Sequence, residues 1–179
     1  MNKLFPGQQD NERVILVVRQ HWFVFFLHLL AWGLFAVILL AADYIITHYF
    51  SELREEPIAP VVNLIETLYL MFLILALLIM WVLYYLNVNI ITNERVVDIT
   101  QQSLLHHTVS ELHLNRIQDV TAEVHGFFET FLDYGNVHLQ TAGETERFVF
   151  NNVGNPAKIS KMILDLYEQL PPEEKLKSD

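Results

Sequence analysis

WFVFFLHLLAWGLFAVILLAA, residues Trp22–Ala42, and TLYLMFLILALLIMWVLYYL, residues Thr67–Leu86, contain no Asp, Glu, Lys or Arg. Each run has about 20 residues and, at ~1.5 Å rise per residue, reaches about 30 Å as a helix, the thickness of a bilayer's hydrocarbon core. Two such runs on either side of a polar stretch predict a transmembrane helical hairpin, with spans 22–42 and 67–86 and an outer loop 43–66. Aromatic residues stand near both ends of each run: Trp22 with Tyr44 and Tyr49, and Tyr69 with Trp81, Tyr84 and Tyr85. They match the belts found at membrane–water interfaces. The first run is longer than the ~7–15 apolar residues of a secretory signal and passes directly into Asp43-Tyr44-Ile45-Ile46, so it reads as a retained span.

These runs account for an apolar fraction of 53%, high for a soluble protein. The chain has 179 residues, and the part after Leu86 is long enough for one small domain. There is no cysteine, which excludes disulfides, thiol catalysis and Cys-based metal sites. The net charge of −10 is unevenly spread. Residues 1–21 carry Lys3, Arg13 and Arg19 against Asp10 and Glu12; residues 43–66 carry Arg54 against five acids; residues 87–179 carry seven basic against fourteen acidic side chains. Basic residues near spans mark the cytoplasmic side. The expectation is a multi-pass protein of the inner (plasma) membrane with both termini in the cytoplasm.

Before the first span, a polar N-terminal segment, 1–21, includes ERVILVVR (Glu12–Arg19), which reads either as a strand joining a sheet elsewhere or as the emerging first turns of the membrane helix. After Leu86 there is no Gly/Ser/Pro linker, so a small domain at 87–170 follows the second span without a tether. The period there changes from helical to two. Val88–Ile91 and Val96–Ile99 flank a turn at 92–95. Leu104–Leu114, the alternating Val120/Ala122/Val124 and Val137/Leu139/Thr141, and Phe148/Phe150 predict further antiparallel strands. Gly143-Glu144-Thr145 predicts a turn, and Phe127, Phe128, Phe131 and Leu132 predict one short helix after Gly126. Asn155 as N-cap and Pro156 in first position open a helix whose apolar stripe is Ile159, Met162, Ile163, Leu166 and Leu170. Pro171-Pro172 end it, and 171–179 reads as a disordered tail. The fold class is thus a membrane α-helical hairpin plus a small α+β domain of six or seven antiparallel strands with a C-terminal helix.

The order and spacing of several segments resemble the bacterial pleckstrin-homology-like membrane proteins, long catalogued as a domain of unknown function. These segments are Glu12–Ile15 through Arg19–Trp22, Tyr85–Arg95 with its Thr92-Asn93-Glu94-Arg95 turn, Leu114–Val120, Gly135–Val137, Thr141–Gly143 and the approach Asn152–Pro156. The resemblance covers nearly the whole chain. It implies a split β-barrel of about seven strands closed by a helix, and a role as an interaction or assembly module; isolated domains of this type form rings.

Few residues suggest chemistry. His106, His107, His113, His125 and His138 invite a metal reading, but adjacent strand residues point to opposite faces and no His-Glu-x-x-His spacing exists. No metal or cofactor is expected. His28 lies inside the first span, where a polar residue is either a functional site or a packing group bonded to the second helix; packing is the preferred reading. Glu66 falls at the outer edge of the second span. Arg116 and Asp119, three apart on a strand, point to opposite faces and form no catalytic pair. A rim salt bridge or a turn-bracing role is the preferred reading of this pair; in the sharper reading they are, with Arg95, the candidate partner contacts. No nucleophile elbow, paired carboxylates or Gly-rich phosphate loop appears, so no enzyme is expected. The acidic domain opposes phosphoinositide-type headgroup binding and nucleic-acid binding alike. The expected function is a non-enzymatic, membrane-tethered interaction or assembly module whose partners are the lipid bilayer and a protein, including a second copy. The alternative is an accessory subunit of a membrane transport or envelope-stress complex, with His28 and the hairpin lining the contact.

Overall fold

Helical geometry ends where the period changes. In the computed structural model, which describes residue 5 and residues 7–9, 11–141 and 148–175, helix α2 (Ala59–Leu86) stops one residue short of strand β2 (Val88–Thr92). The chain forms two units, one of residues 22–84 and one of residues 1–21 with 85–179.

The first unit is a pair of helices, α1 (Trp22–Tyr49) and α2, each of 28 residues and each long and apolar enough to cross a membrane. Both run past the uncharged stretches, so the connection is shorter than the 43–66 expected and itself contains a 3₁₀ turn at Ser51–Arg54. Charge pairing is the reason. Arg54 donates to Asp43 on α1 and to Glu66 on α2 at 2.8 Å, and also to Asn63, so the added turns of both helices end on one guanidinium. Glu66 is therefore an ion-pair partner. The helices meet through Phe25–Tyr84 and Trp32–Phe72 ring contacts and a Tyr69 hydroxyl that donates to the Phe35 carbonyl. His28 does not reach α2. Its Nδ1 donates to the carbonyl of Val24 one turn back, at 2.7 Å, so that one ring nitrogen is partnered within its own helix.

The second unit holds seven strands in two antiparallel sheets. The four-stranded sheet has the order β1 (Val14–Arg19), β2, β3 (Arg95–Ser103), β4 (His106–His113). The three-stranded sheet has the order β5 (Ile117–Glu123), β6 (Tyr134–Thr141), β7 (Phe148–Gly154). Within Glu12–Arg19, the residues Val14–Arg19 form a strand. Its β-branched run pairs with β2, Arg19 opposite Val88 and Val14 opposite Thr92. The N-terminal segment thus belongs to the sheet domain, whereas the sequence reading set it apart. A bridge between Gln20 and Val153 ties the end of β1 to the second sheet.

Alternation sorts the first sheet's residues between two cores. Ile91 and Val96, directly opposed, face the main core with Leu114, Val137, Leu139, Phe150 and Ile163. Ile90 and Val97 face the other way and are covered by Phe5. Helix α4 (Pro156–Glu168) buries Ile159 and Ile163 against β5 and β6, and the Ser160 hydroxyl donates to the Val120 carbonyl at 3.0 Å. Two local expectations are corrected. Asn155 makes no side-chain cap; it takes a left-handed conformation (φ 52°, ψ 57°), which Asn tolerates, and its amide donates to the Asp133 carbonyl. Pro172–Lys175 is a short helix, α5, inside the stretch read as tail. The expected turn at 143–145 and the last residues of the tail lie outside the described residues.

Candidate functional site

Arg95, expected as a surface contact, is buried. It opens β3 on the face turned to Phe5, because it shares the parity of Val97. Its Nε donates to Glu12 at 2.9 Å, one terminal nitrogen to Glu12 at 2.8 Å and to the Gly7 carbonyl at 2.7 Å, and the other to Glu111 on β4. The Thr92 hydroxyl and the Gln9 amide also donate to Glu12, which is 1% exposed. Burial alone pushes the Glu12 carboxyl up. The hydrogen bonds from Arg95, Gln9 and Thr92, with the Arg95 charge, outweigh it and hold the group below the ordinary glutamate value. Arg95 is thus a structural clasp that fastens the N-terminal segment across the outer face of β2 and β3. Glu12 and Glu111 carry no local sequence signal for this role: Glu12 lies 83 positions from its partner.

Arg116 and Asp119 are exposed, as a contact role requires. Arg116 sits in a 3₁₀ turn (Leu114–Arg116), so the strand alternation argued for the pair does not apply to it. No ion pair joins the two among the described residues; Asp119 accepts from Thr121 instead. Arg116 belongs to the connection between β4 and β5, and Asp119 to the start of β5 itself. Strand β4 pairs with β3 from His113 to His106, and among the described residues its other edge is unpaired. Most of its side chains, including His106, His107 and His113, are exposed. Beside its C-terminal end lies a cleft of about 620 Å³ lined by Asn93, Glu94, His113, Asn115 and, from the end of α4 onward, Leu166 and Gln169 among others. A strand edge unpaired among the described residues, a mixed polar and apolar cleft and an exposed arginine within one stretch of surface suit peptide docking.

The histidines do not converge. His138 and His125 each approach Glu123, at 3.2 and 3.4 Å, and among the described residues no group of three or more His, Asp or Glu is placed to hold a metal ion.

A smaller cleft of about 190 Å³ lies among Gln20, Asn87, Asn89, Asp98, Thr100 and Asn151. Asn89 and Asp98 are cross-strand neighbours on the main-core face of the first sheet. Burial pushes the Asp98 carboxyl up, and hydrogen bonds from Thr100 offset this only in part. A carboxyl raised in the folded state contributes stability below its unfolded value near 3.8, and that contribution is lost as pH rises through the folded value. Asp98→Asn is therefore expected to raise the Tm by a few degrees at pH 7 in a detergent thermal-shift assay, with the gain vanishing as the buffer is acidified below the ordinary aspartate range. A lower Tm at pH 7 would contradict the desolvation argument.

Two antiparallel sheets with a C-terminal helix packed on them define a pleckstrin-homology-like domain, here in one chain with two helices long and apolar enough to cross a membrane. Residues 14–167 match the family described as the bacterial PH domain, and the chain belongs to that family. Families of this class are generally non-catalytic. The match begins at Val14, the first residue of β1. Solved structures to which the chain is similar include a pleckstrin-homology-domain protein from Shewanella loihica PV-4, with 18% identity over 45% of this chain and 70% of that one and a TM-score of 0.38. Another is a pleckstrin homology domain from Shewanella amazonensis SB2B, with 19% identity over 45% and 66% and a TM-score of 0.38. No curated protein sequence matches.

Proposed function

We propose that the protein is a non-enzymatic, membrane-tethered interaction or assembly module. In this reading α1 and α2 span the inner membrane, both termini face the cytoplasm, and the two sheets form a split barrel closed by α4. A protein partner, or a second copy, adds a strand to β4 and contacts Arg116 and Asp119. The observation that carries the reading is the edge of β4, eight residues long, mostly exposed and unpaired among the described residues, beside a cleft large enough for a side chain of the incoming segment. Main-chain hydrogen bonds along such an edge supply affinity, and neighbouring side chains supply specificity. The acidic charge of the domain argues against phosphate-bearing headgroups and nucleic acid as the recognised ligand. The accessory-subunit alternative relies on His28, whose Nδ1 already donates to the Val24 carbonyl within α1.

The test is the native mass of the full chain extracted from its own membranes in mild detergent, with identification of what co-purifies. The expected result is a stoichiometric complex or homo-oligomer. Thr108→Lys on the β4 edge and Arg116→Glu beside it each reduce that complex severalfold without lowering the Tm, and His28→Leu leaves it intact. A monomer with no companion, or a complex lost only with His28→Leu, overturns the proposal.

A further inference from the structure

Trp22 begins α1 directly after His21, and Leu86 ends α2 directly before Asn87. Arg19 pairs with Val88, and Val88 with Ile99, so the C-terminal end of β1, the start of β2 and the later half of β3 lie at one end of the first sheet. From Ile99 the β3–β4 hairpin continues alone to the Ser103–His106 pair. At ~3.3 Å per residue, those four residues carry the tip about 13 Å past the start of β2. The two residues at the tip are Leu104 and Leu105, and Leu105 is 98% exposed.

The second sheet brings another apolar element to the same place. The His21 ring stacks on Tyr134 with centroids 4.9 Å apart, and the His21 amide donates to the Asn152 carbonyl. Tyr134 opens β6, two residues after α3 (Phe127–Leu132) ends. Helix α3 therefore stands within about a helical turn of the residue that leads into α1. It does not bury its aromatic face. Phe127 and Phe131 are 78% and 77% exposed, stacked on each other, and Phe128 is more than half exposed. Beside the β2 start, the Arg19 guanidinium lies over the Tyr85 ring at 4.3 Å, a cation–aromatic pair of the sort found at headgroup level.

Apolar side chains this exposed are costly in water, at roughly 25 cal/mol per Å² of apolar area. Five of them lie at the one end of the domain where both connections to the apolar helices leave it. We propose that Leu104, Leu105, Phe127, Phe128 and Phe131 insert into the interface of the bilayer that α1 and α2 span, seating the domain on the lipid at three places: the chain connections, the β3–β4 tip and α3. The occupant is lipid because the chain itself delivers this end to the membrane. Phe and Leu on a short amphipathic element are the residue types that bury at the acyl boundary. The proposal rests on the reading that the two helices span.

The absence of cysteine allows single labels to be placed at will. The full chain is reconstituted in nanodiscs, with an environment-sensitive fluorophore at Leu105→Cys, Phe131→Cys, Leu34→Cys within α1, or Glu94→Cys at the far end of the first sheet. Lipids brominated on the acyl chain and aqueous iodide serve as the two quenchers. The expected result is that labels at 105 and 131 are quenched severalfold more by brominated lipid than the label at 94, and severalfold less by iodide. Strong lipid quenching at 34 with labels at 105 and 131 behaving like 94 overturns this proposal alone. Iodide access at 34 overturns the spanning reading and this proposal with it. Labels at 105 and 131 shielded from both quenchers mean a protein covers the patch, which also overturns it.

Discussion

Arg95→Ala is expected to lower the unfolding free energy of the sheet domain by about 3–5 kcal/mol, the usual cost of removing one partner from a buried ion pair. The guanidinium serves four acceptor contacts on Glu12, Glu111 and Gly7, and both it and Glu12 are almost wholly removed from water. Without it, the Glu12 carboxylate keeps only Thr92 and the Gln9 amide. Desolvation, already the largest single influence on that carboxyl, then dominates and drives its pKa up. The pH dependence follows. In the parent, Glu12 contributes stability above its unfolded value of 4.5 that is lost as pH falls through its lowered folded value. In the variant a raised Glu12 works in the opposite sense, so the gap between the proteins is widest near neutrality and narrows in acid. Chemical denaturation at several pH values measures this. Limited proteolysis should also cut the variant between residues 7 and 13, where the clasp holds the N-terminal segment. A paired replacement, Glu12→Leu with Arg95→Met, should cost less than either single change, because no buried charge is left unpaired and Glu111, which loses its partner, is exposed to water. If Arg95→Ala lies within about 0.5 kcal/mol of the parent, as ordinary surface substitutions do, the clasp is not a buried pair.

Gly135→Ala is expected to cost about 3 kcal/mol or more, at or above the top of the range for overpacking a core. A Cβ at Gly135 would stand 2.2 Å from the Glu123 carbonyl oxygen and 3.1 Å from the Val124 side chain. The first obstacle is backbone, so no rotamer change relieves it; β5 and β6 must separate. The position coincides with an irregularity in the register of β6 with β7, between Gly135 and Val137. It also neighbours Tyr134, on which His21 stacks. The strain should therefore be felt at α3 as well as in the sheet. Thermal unfolding checks the magnitude, and hydrogen exchange of the β5 and β6 amides checks the location. An unshifted Tm would show that the two strands do not approach so closely at this residue.

Much of the architecture could be read without coordinates, because it depends on short-range pattern. An uninterrupted apolar run has one stable fate, and alternation at 88–91, 137–141 and 148–150 leaves a strand one buried face. The stripe at Ile159, Ile163 and Leu166 marks α4 for the same reason. Helix ends were less legible. Asp43 and Glu66 ordinarily stop an apolar span, yet Arg54 neutralises both and the helices continue past them. Arg116 was placed on a strand by extension of its neighbours' alternation, which a 3₁₀ turn interrupts. Val124, assigned to the buried face of its strand, lies beyond the strand's end and is exposed.

The site residues divide along the same line. Arg95 stood out as the last residue of a recognisable turn, but charge and a turn position predict a solvated side chain. Its burial depends on Glu12 arriving from the other side of two long helices, a meeting that no local pattern encodes. The apolar spacing of Phe127, Phe128 and Phe131 predicted α3 correctly, and the same spacing normally implies burial. That these rings stay outside, together with Leu105, is visible only in the tertiary structure. Composition and periodicity were enough for two membrane-length helices and a β-rich domain, since each residue's neighbours within about a turn set its conformation. Which charges are hidden and which apolar side chains face outward were settled by the tertiary structure, through contacts such as Glu12 with Arg95, 83 positions apart, that no local pattern encodes.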